Sequence, residues 1–265
     1  MVLFIAGILW PSRERSVSLL VILDTVRADH TSVCGYERPT TPILEKLVAE
    51  GASINCNAWA PGRWTPPTHV SYFTGLEVPD HEAHLVDQKE SVPANGVRGI
   101  GPARGLSRDY LTIAEQRPAI LVSAHPVLGP ASGLDQGFRY SHTGLKFGDT
   151  YADDFVTALK AALDQAIDGD LIVLNIADAH QPVTDSPEGM GWVPSRKTLK
   201  CRERKKNGLG QRWHRGKTNA AKGKRIVDLY DYSIFCADKT LGKSLDVIAN
   251  QGFSIADFTI KSDHG

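Results

Sequence analysis

The chain has no CxxC pair, and its four cysteines (Cys34, Cys56, Cys201 and Cys236) stand far apart. That spacing argues against a thiolate zinc site and against a disulfide scaffold. A surplus of one charge is also missing. Thirty basic residues balance 30 acidic ones, so no global field points to nucleic acid or a membrane surface. No apolar run approaches the ~20 residues that span a bilayer. The apolar start, Met1 to Trp10, lacks a basic leader and runs into Pro11-Ser12-Arg13-Glu14-Arg15. It reads as an edge strand or an N-terminal extension over residues 1–15 rather than a secretion signal. The expected location is therefore cytoplasmic. No internal repeat is visible, and 265 residues suffice for one domain with a substantial core.

What is present is a recurring unit of apolar strand, polar tip and helix. Leu19 to Leu23 is a short apolar run without Gly or Pro that ends abruptly on Asp24. Such a run fits a strand buried on both faces. Ala119–Ser123 and Leu171–Ile176 read the same way, and Phe258–Ile260 leads into Lys261-Ser262-Asp263-His264-Gly265. A shorter strand is expected within Ala52–Ala58. Between them lie helical patterns. Thr40 or Thr41 caps a helix with Pro42 in its first turn, a stripe of Ile43, Leu44, Leu47 and Val48, and Gly51 as terminator. Further helices are expected over Thr68–Phe73, Tyr110–Glu115, Tyr151–Ile167 and Val227–Asn250. Asp80–Ser107 reads as an irregular surface excursion. Arg196–Arg225, rich in Lys and Arg, reads as a solvated one, and no nucleic-acid module accompanies its charge. The pattern predicts an α/β fold: a mostly parallel central sheet with helices on both faces.

Open α/β sheets bind ligands at the carboxyl ends of their strands. Asp24, His180 and the pair Asp263-His264 occupy such ends, and Thr65 carries a hydroxyl just before a helix start. That helix N-terminus would present unpaired N–H groups to an anion. Carboxylate oxygen with imidazole nitrogen suits zinc, manganese or a related divalent ion. A metal beside a hydroxyl activates it as a nucleophile.

The local sequences resemble the sulfatase-like branch of the alkaline phosphatase-like superfamily. The blocks are L-L-V-I-L-D-T-V-R-A-D-H from Leu19, G-Y-E-R-P-T-T-P-I-L-E-K-L from Gly35, W-T-P-P-T-H-V-S-Y-F-T-G from Trp64 and L-T-I-A-E from Leu111. L-D-Q-G-F-R-Y follows from Leu134, N-I-A-D-A-H-Q-P from Asn175, Y-D-Y-S-I-F-C-A-D-K-T-L-G from Tyr230 and S-D-H-G from Ser262. They span nearly the whole chain in the family's order, over an expected domain of residues 16–265. The resemblance implies an alkaline phosphatase-like fold. It implies that Asp24, Asp263 and His264 bind a divalent metal (Mn, Zn or Ca), with Thr65 as further ligand and nucleophile. His180 matches the histidine that contacts the substrate anion. His69 stands where the maturation motif has Arg and is a candidate donor to the leaving oxygen, or else a structural group. Asp29 and Asp178 read as loop or capping carboxylates, and Asp238 as structural.

Two departures carry chemistry. Thr25 stands where many sulfatases have a second Asp, which weakens a calcium-type, carboxylate-rich site. Thr65 stands where sulfatases have the Cys or Ser that becomes formylglycine, and Thr cannot give the same aldehyde. The resemblance therefore implies an anionic ester substrate with phosphate favoured over sulfate, and hydrolysis or transfer through a Thr nucleophile. A sulfuric ester hydrolase and an inactive homologue with a binding role are the alternatives. Family members usually continue beyond the Asp-His-Gly block, so the expectation is a domain incomplete at its C-terminus.

Overall fold

The computed structural model describes residues 2–6, 15–81, 112–130, 133–143, 145, 152–180 and 220–265. The strands are β1 (Val2–Ala6), β2 (Arg15–Leu23), β3 (Ser53–Asn55), β4 (Ala119–Ser123), β5 (Tyr140–His142), β6 (Leu171–Ile176) and β7 (Phe253–Ser262). The helices are α1 (Pro42–Ala49), α2 (Thr65–Thr74), α3 (Val78–His81), α4 (Ile113–Gln116), α5 (Ala152–Leu163) and α6 (Ala220–Asn250). The seven strands form one sheet in the order β3-β1-β7-β2-β6-β4-β5. From β7 to β5 every neighbouring pair is parallel, whereas β1 runs antiparallel to both β7 and β3.

The central strands β4 and β6 are apolar at nearly every position because each face carries its own core. In β4, Ile120 and Val122 face one cluster while Ala119 and Leu121 face the other. In β6, Ile172, Leu174 and Ile176 join the first cluster, and Leu171 and Val173 the second. Helices α1, α5 and α6 supply Leu44, Leu159 and Leu241 to the first face, and α2 supplies Val70 and Phe73 to the second. This is the expected mostly parallel sheet between two helical layers, an alkaline phosphatase-like α/β fold. Strands β4 and β6 have the bounds expected from sequence.

Other expectations shift. β1 is paired on both sides and is not an edge. Helix α2 starts at Thr65, three residues early, because Pro66 and Pro67 fit a first helical turn that needs no donors. Helix α6 reaches back into the Lys-rich segment, as far as Ala220. Residues 82–111 and 181–219, which hold most of the two expected excursions, lie outside the described residues.

Helix α1 is capped from elsewhere in the fold. Thr41 is its N-cap residue, but its Oγ1 accepts from the Val33 amide (3.1 Å). The first-turn amides of Ile43 and Leu44 donate instead to Asp238 of α6, at 2.8 and 3.1 Å. Gly242 permits this close approach, since a Cβ there would meet Ile43 Cδ1 at 3.0 Å. Burial pushes the Asp238 carboxyl up to about 7, against the two amides that favour its charged form.

The cysteines require a correction. Cys34 and Cys56 form a disulfide with Cα atoms 5.7 Å apart, tying the turn after β2 to the loop after β3. Cys236 is disulfide-bonded as well. Wide spacing in sequence does not separate residues that the sheet brings together.

The disulfide closes a 22-residue separation, which corresponds to about 3 kcal/mol of unfolded-state entropy. A Cys34→Ala/Cys56→Ala variant is expected to lose about that much stability in urea unfolding. Asp238 gives a pH signature. Its folded pKa is raised, so its contribution is most favourable at low pH and is lost as pH rises through 7. Between about pH 4 and pH 7, wild type should lose stability relative to Asp238→Asn, and a pH-independent difference would contradict this.

Candidate metal centre

The site is built where three parallel strands end side by side. The register pairs Leu23 of β2 with Ile176 of β6 and with Ser262 of β7. The residues one step beyond, Asp24 and Asp263, therefore emerge together, and both are completely buried. The Asp24 amide continues the ladder by donating to the Ile176 carbonyl at 2.9 Å. Asp263 Oδ1 accepts two backbone amides, from Thr25 at 2.9 Å and from His264 at 2.8 Å. Asp263 Oδ2 has no hydrogen-bond partner among the described residues and lies 3.5 Å from His264 Nε2. Asp24, Asp263 and His264 offer ligand atoms that all lie within 4.8 Å of one another.

This cluster fits a divalent cation. Two buried carboxylates and an imidazole are the oxygen and nitrogen donors that zinc and manganese accept. Buried carboxylate charge is costly without a compensating cation, and Asp263 Oδ2 lacks even a hydrogen bond. Calcium, which takes six to eight oxygens, is served less well by this set.

Thr65 is the first residue of α2, nearly buried, with Oγ1 3.3 Å from His264 Nε2. The expected cluster of N–H donors at this helix start is thinner than usual, since Pro66 and Pro67 have none. His69 lies one turn further along α2, wholly buried. Its Nδ1–H donates to the Thr65 carbonyl at 2.9 Å, leaving Nε2 to accept from Asn175 Nδ2 at 3.3 Å. Both ring nitrogens are thus engaged within the protein. Burial holds the His69 pKa below its ordinary value, although Asp263 pulls the other way.

His180 follows β6 at the same sheet edge, half-buried, its ring edge-on to His125 at 5.1 Å between centroids. His125 was not expected from sequence. It is almost fully buried just past β4, and its Nδ1 accepts from the Val127 amide, which places the proton of the neutral ring on Nε2. Burial pushes its pKa well down, helped by His180, His69 and His264. Asn175 was also missed as a functional residue. It donates to Asp24 Oδ2 at 3.3 Å and accepts from Ser123 Oγ at 3.1 Å, linking β4, β6 and β2. The strand-end rule that selected Asp24 would have found His125, whereas nothing local marks a polar residue inside an apolar strand. Asp29 is engaged by Arg27 in an exposed ion pair, outside the metal cluster. A cavity of about 670 Å³ opens beside His264, with Tyr72, Trp59, Arg27 and Asp29 among its walls.

No family model and no curated protein matches this sequence. Solved structures do match the fold. The C-terminal periplasmic domain of phosphoethanolamine transferase EptC from Campylobacter jejuni superposes with TM-score 0.59 at 17% identity, covering 95% of this chain and 69% of that one. The soluble domain of lipooligosaccharide phosphoethanolamine transferase A from Neisseria meningitidis gives 0.57 at 16%, covering 99% and 70%. Phosphonate monoester hydrolase of Agrobacterium radiobacter gives 0.60 at 13%, covering 95% and 63%. At these identities the shared property is the alkaline phosphatase-like fold. The expected cytoplasmic location is corrected: the Campylobacter structure is a periplasmic domain, and a Cys34–Cys56 disulfide belongs to an oxidising compartment. No helix among the described residues is long and apolar enough to cross a membrane.

A cation held by this cluster would stabilise the folded chain by mass action, by ~2.7 kcal/mol at a hundred times its dissociation constant. Thermal melts of wild type should rise on adding manganese or zinc. Asp24→Asn should abolish that rise. In chelator it should melt at or above wild type, because one of two neighbouring buried carboxylates is gone.

Proposed function

We propose that this chain is a metal-dependent hydrolase or transferase of phosphate esters with Thr65 as nucleophile. The observation that carries the reading is the Thr65 hydroxyl standing 3.3 Å from His264, at the edge of the Asp24–Asp263–His264 cluster. Those three residues would hold the ion, with Thr65 Oγ1 beside it. A bound divalent cation supplies Lewis-acid stabilisation of charge and lowers the pKa of a neighbouring hydroxyl.

The remaining work falls to the chain's own groups. Thr65 Oγ1 gives up its proton to solvent and forms a bond to phosphorus as the ester P–O bond opposite it breaks, and the departing oxygen takes a proton from solvent and leaves as the alcohol. Water or a second alcohol then displaces the phosphoryl group from Thr65. His180, beside His125 at the same edge, offers imidazole donors to the phosphoryl oxygens. His69 is a positioning residue. Its bond to the Thr65 carbonyl fixes the first turn of α2, and its engaged nitrogens leave no proton to deliver to a leaving group. The disulfide and the periplasmic Campylobacter neighbour support an extracytoplasmic setting. Neighbours named as phosphoethanolamine transferases and a phosphonate monoester hydrolase support phosphorus chemistry, while another of the same fold is named for its complex with a disulfated glucosamine substrate, so the preference over sulfate rests on threonine at position 65.

The test is purified protein assayed in parallel on a phosphomonoester, a phosphodiester and an aryl sulfate, with and without manganese or zinc. Metal-dependent turnover of a phosphate ester is expected. Thr65→Ala should lower kcat by about a thousand-fold or more while keeping the metal-induced rise in melting temperature. Turnover of the sulfate alone would favour a sulfatase, and metal binding without any turnover would leave a binding protein.

A further inference from the structure

Among the described residues, Thr25 is the one non-glycine with positive φ, at 59°. A left-handed conformation crowds the Cβ of an L-residue against the following carbonyl, and a β-branched side chain adopts it rarely. Such strain persists only where neighbouring structure over-determines it. The Thr25 hydroxyl donates to the Asp24 carbonyl at 2.7 Å, and two contacts from elsewhere in the fold hold the backbone. The Thr25 amide donates to Asp263 Oδ1 at 2.9 Å. The Thr25 carbonyl accepts from the hydroxyl of Tyr230, on α6, at 2.6 Å. That same hydroxyl accepts from the Arg27 amide at 2.9 Å, so it bridges both ends of the Thr25–Arg27 segment.

We propose that Tyr230 is a positioning residue for the metal cluster: it clamps the strained Thr25 backbone so that the Thr25 amide fixes the orientation of Asp263. The proposal rests on the reading that Asp24, Asp263 and His264 bind a divalent ion. With Oδ1 held by the amides of Thr25 and His264, Oδ2 is the oxygen left for a ligand. Without the Tyr230 hydroxyl, Thr25 relaxes toward an ordinary conformation. Its amide then leaves Oδ1, and the carboxylate rotates freely.

The phenol is itself held in place. Its ring meets His30 edge-on at 5.2 Å between centroids. His30 is bound by the next residue of α6, Asp231, whose Oδ1 lies 2.6 Å from His30 Nδ1. Tyr36 and Arg38 bind the other oxygen of Asp231, at 2.8 and 2.7 Å. Tyr230 therefore stands on a fixed helix face rather than on a mobile loop.

The experiment measures manganese and zinc dissociation constants by calorimetry on the full chain. Tyr230→Phe is compared with wild type, and again in a Thr25→Gly background. Glycine adopts positive φ without strain, so the clamp has nothing to hold there. The expected result is about tenfold weaker binding for Tyr230→Phe alone, and less than threefold additional loss when Thr25 is already Gly. A merely structural tyrosine would lower the melting temperature equally in both backgrounds without this coupling. Unchanged affinity in Tyr230→Phe, or an equal loss in both backgrounds, overturns the clamp while leaving the metal reading intact. Failure of wild type to bind either ion overturns both. Should Tyr230→Phe fail to fold, Tyr230→Phe/Thr25→Gly still decides, since the clamp predicts near-parity with Thr25→Gly.

Discussion

The carboxylate of Asp263 is the joint on which the site depends. It stands one residue beyond β7 and accepts an amide from its own following residue and another from Thr25, one residue past the tip of β2. Those two bonds require β2 and β7 to run parallel and finish level, which the pairing of Leu23 with Ser262 provides. A hairpin could not do this. Parallel neighbours need a long crossover, and here the intervening chain carries four further strands, β3 to β6, and every α-helix of the described residues. The cluster thus joins residues separated by most of the sequence, and sheet register alone brings them into contact.

Register also explains why the site lies in a nearly dry place. Asp24, Asp263 and His69 are all fully buried, and their hydrogen bonds to Asn175, to the Thr25 and His264 amides and to the Thr65 carbonyl are with neutral groups. Asn175 donates to Asp24, two amides satisfy one oxygen of Asp263, and His69 Nδ1–H donates to the Thr65 carbonyl. Amide dipoles orient the Asp263 carboxylate without neutralising it. A basic side chain in the same position would form a stable ion pair and remove the site's reason to attract a cation. Lys261, the nearest lysine along β7, sits instead over the Tyr72 ring at 3.4 Å from its centroid, where burial lowers its pKa to about 8.

Much of this was legible from residue order because burial on both faces forces uninterrupted apolar strands. Ala119–Ser123 and Leu171–Ile176 are visible for that reason, and so is the abrupt stop at Asp24. β7 was seen only as Phe258–Ile260 because its other positions alternate between buried and exposed, a weaker signal. The grouping of Asp24, Asp263 and His264 as a candidate metal cluster was legible through their strand-end positions and the resemblance of their motifs. The features that stayed hidden share one cause. The Cys34–Cys56 bond, the trans cap from Asp238, the support from Asn175 and the left-handed backbone at Thr25 all depend on what the completed fold sets beside a residue. A glycine at position 25 would have announced the turn, and threonine conceals it.

Helix α6 emerges as the element that couples the periphery to the centre. Asp238 caps α1, Asp231 gathers His30, Tyr36 and Arg38, and Tyr230 holds the backbone next to Asp24, all within nine residues of one helix. Two of these three anchor points are buried acids: Asp238 binds amides in the first turn of α1, and Asp231 binds basic and phenolic groups of the segment between β2 and α1. Cys34 is fastened within that same segment by its bond to Cys56. The turn that leaves the metal cluster is therefore fixed on its far side by a rigid helix and a covalent link. Its near side is then free to carry strain at Thr25 and uncompensated charge at Asp263. Stability concentrated in the surrounding clasp is what permits a site whose own interactions are left incomplete for a ligand.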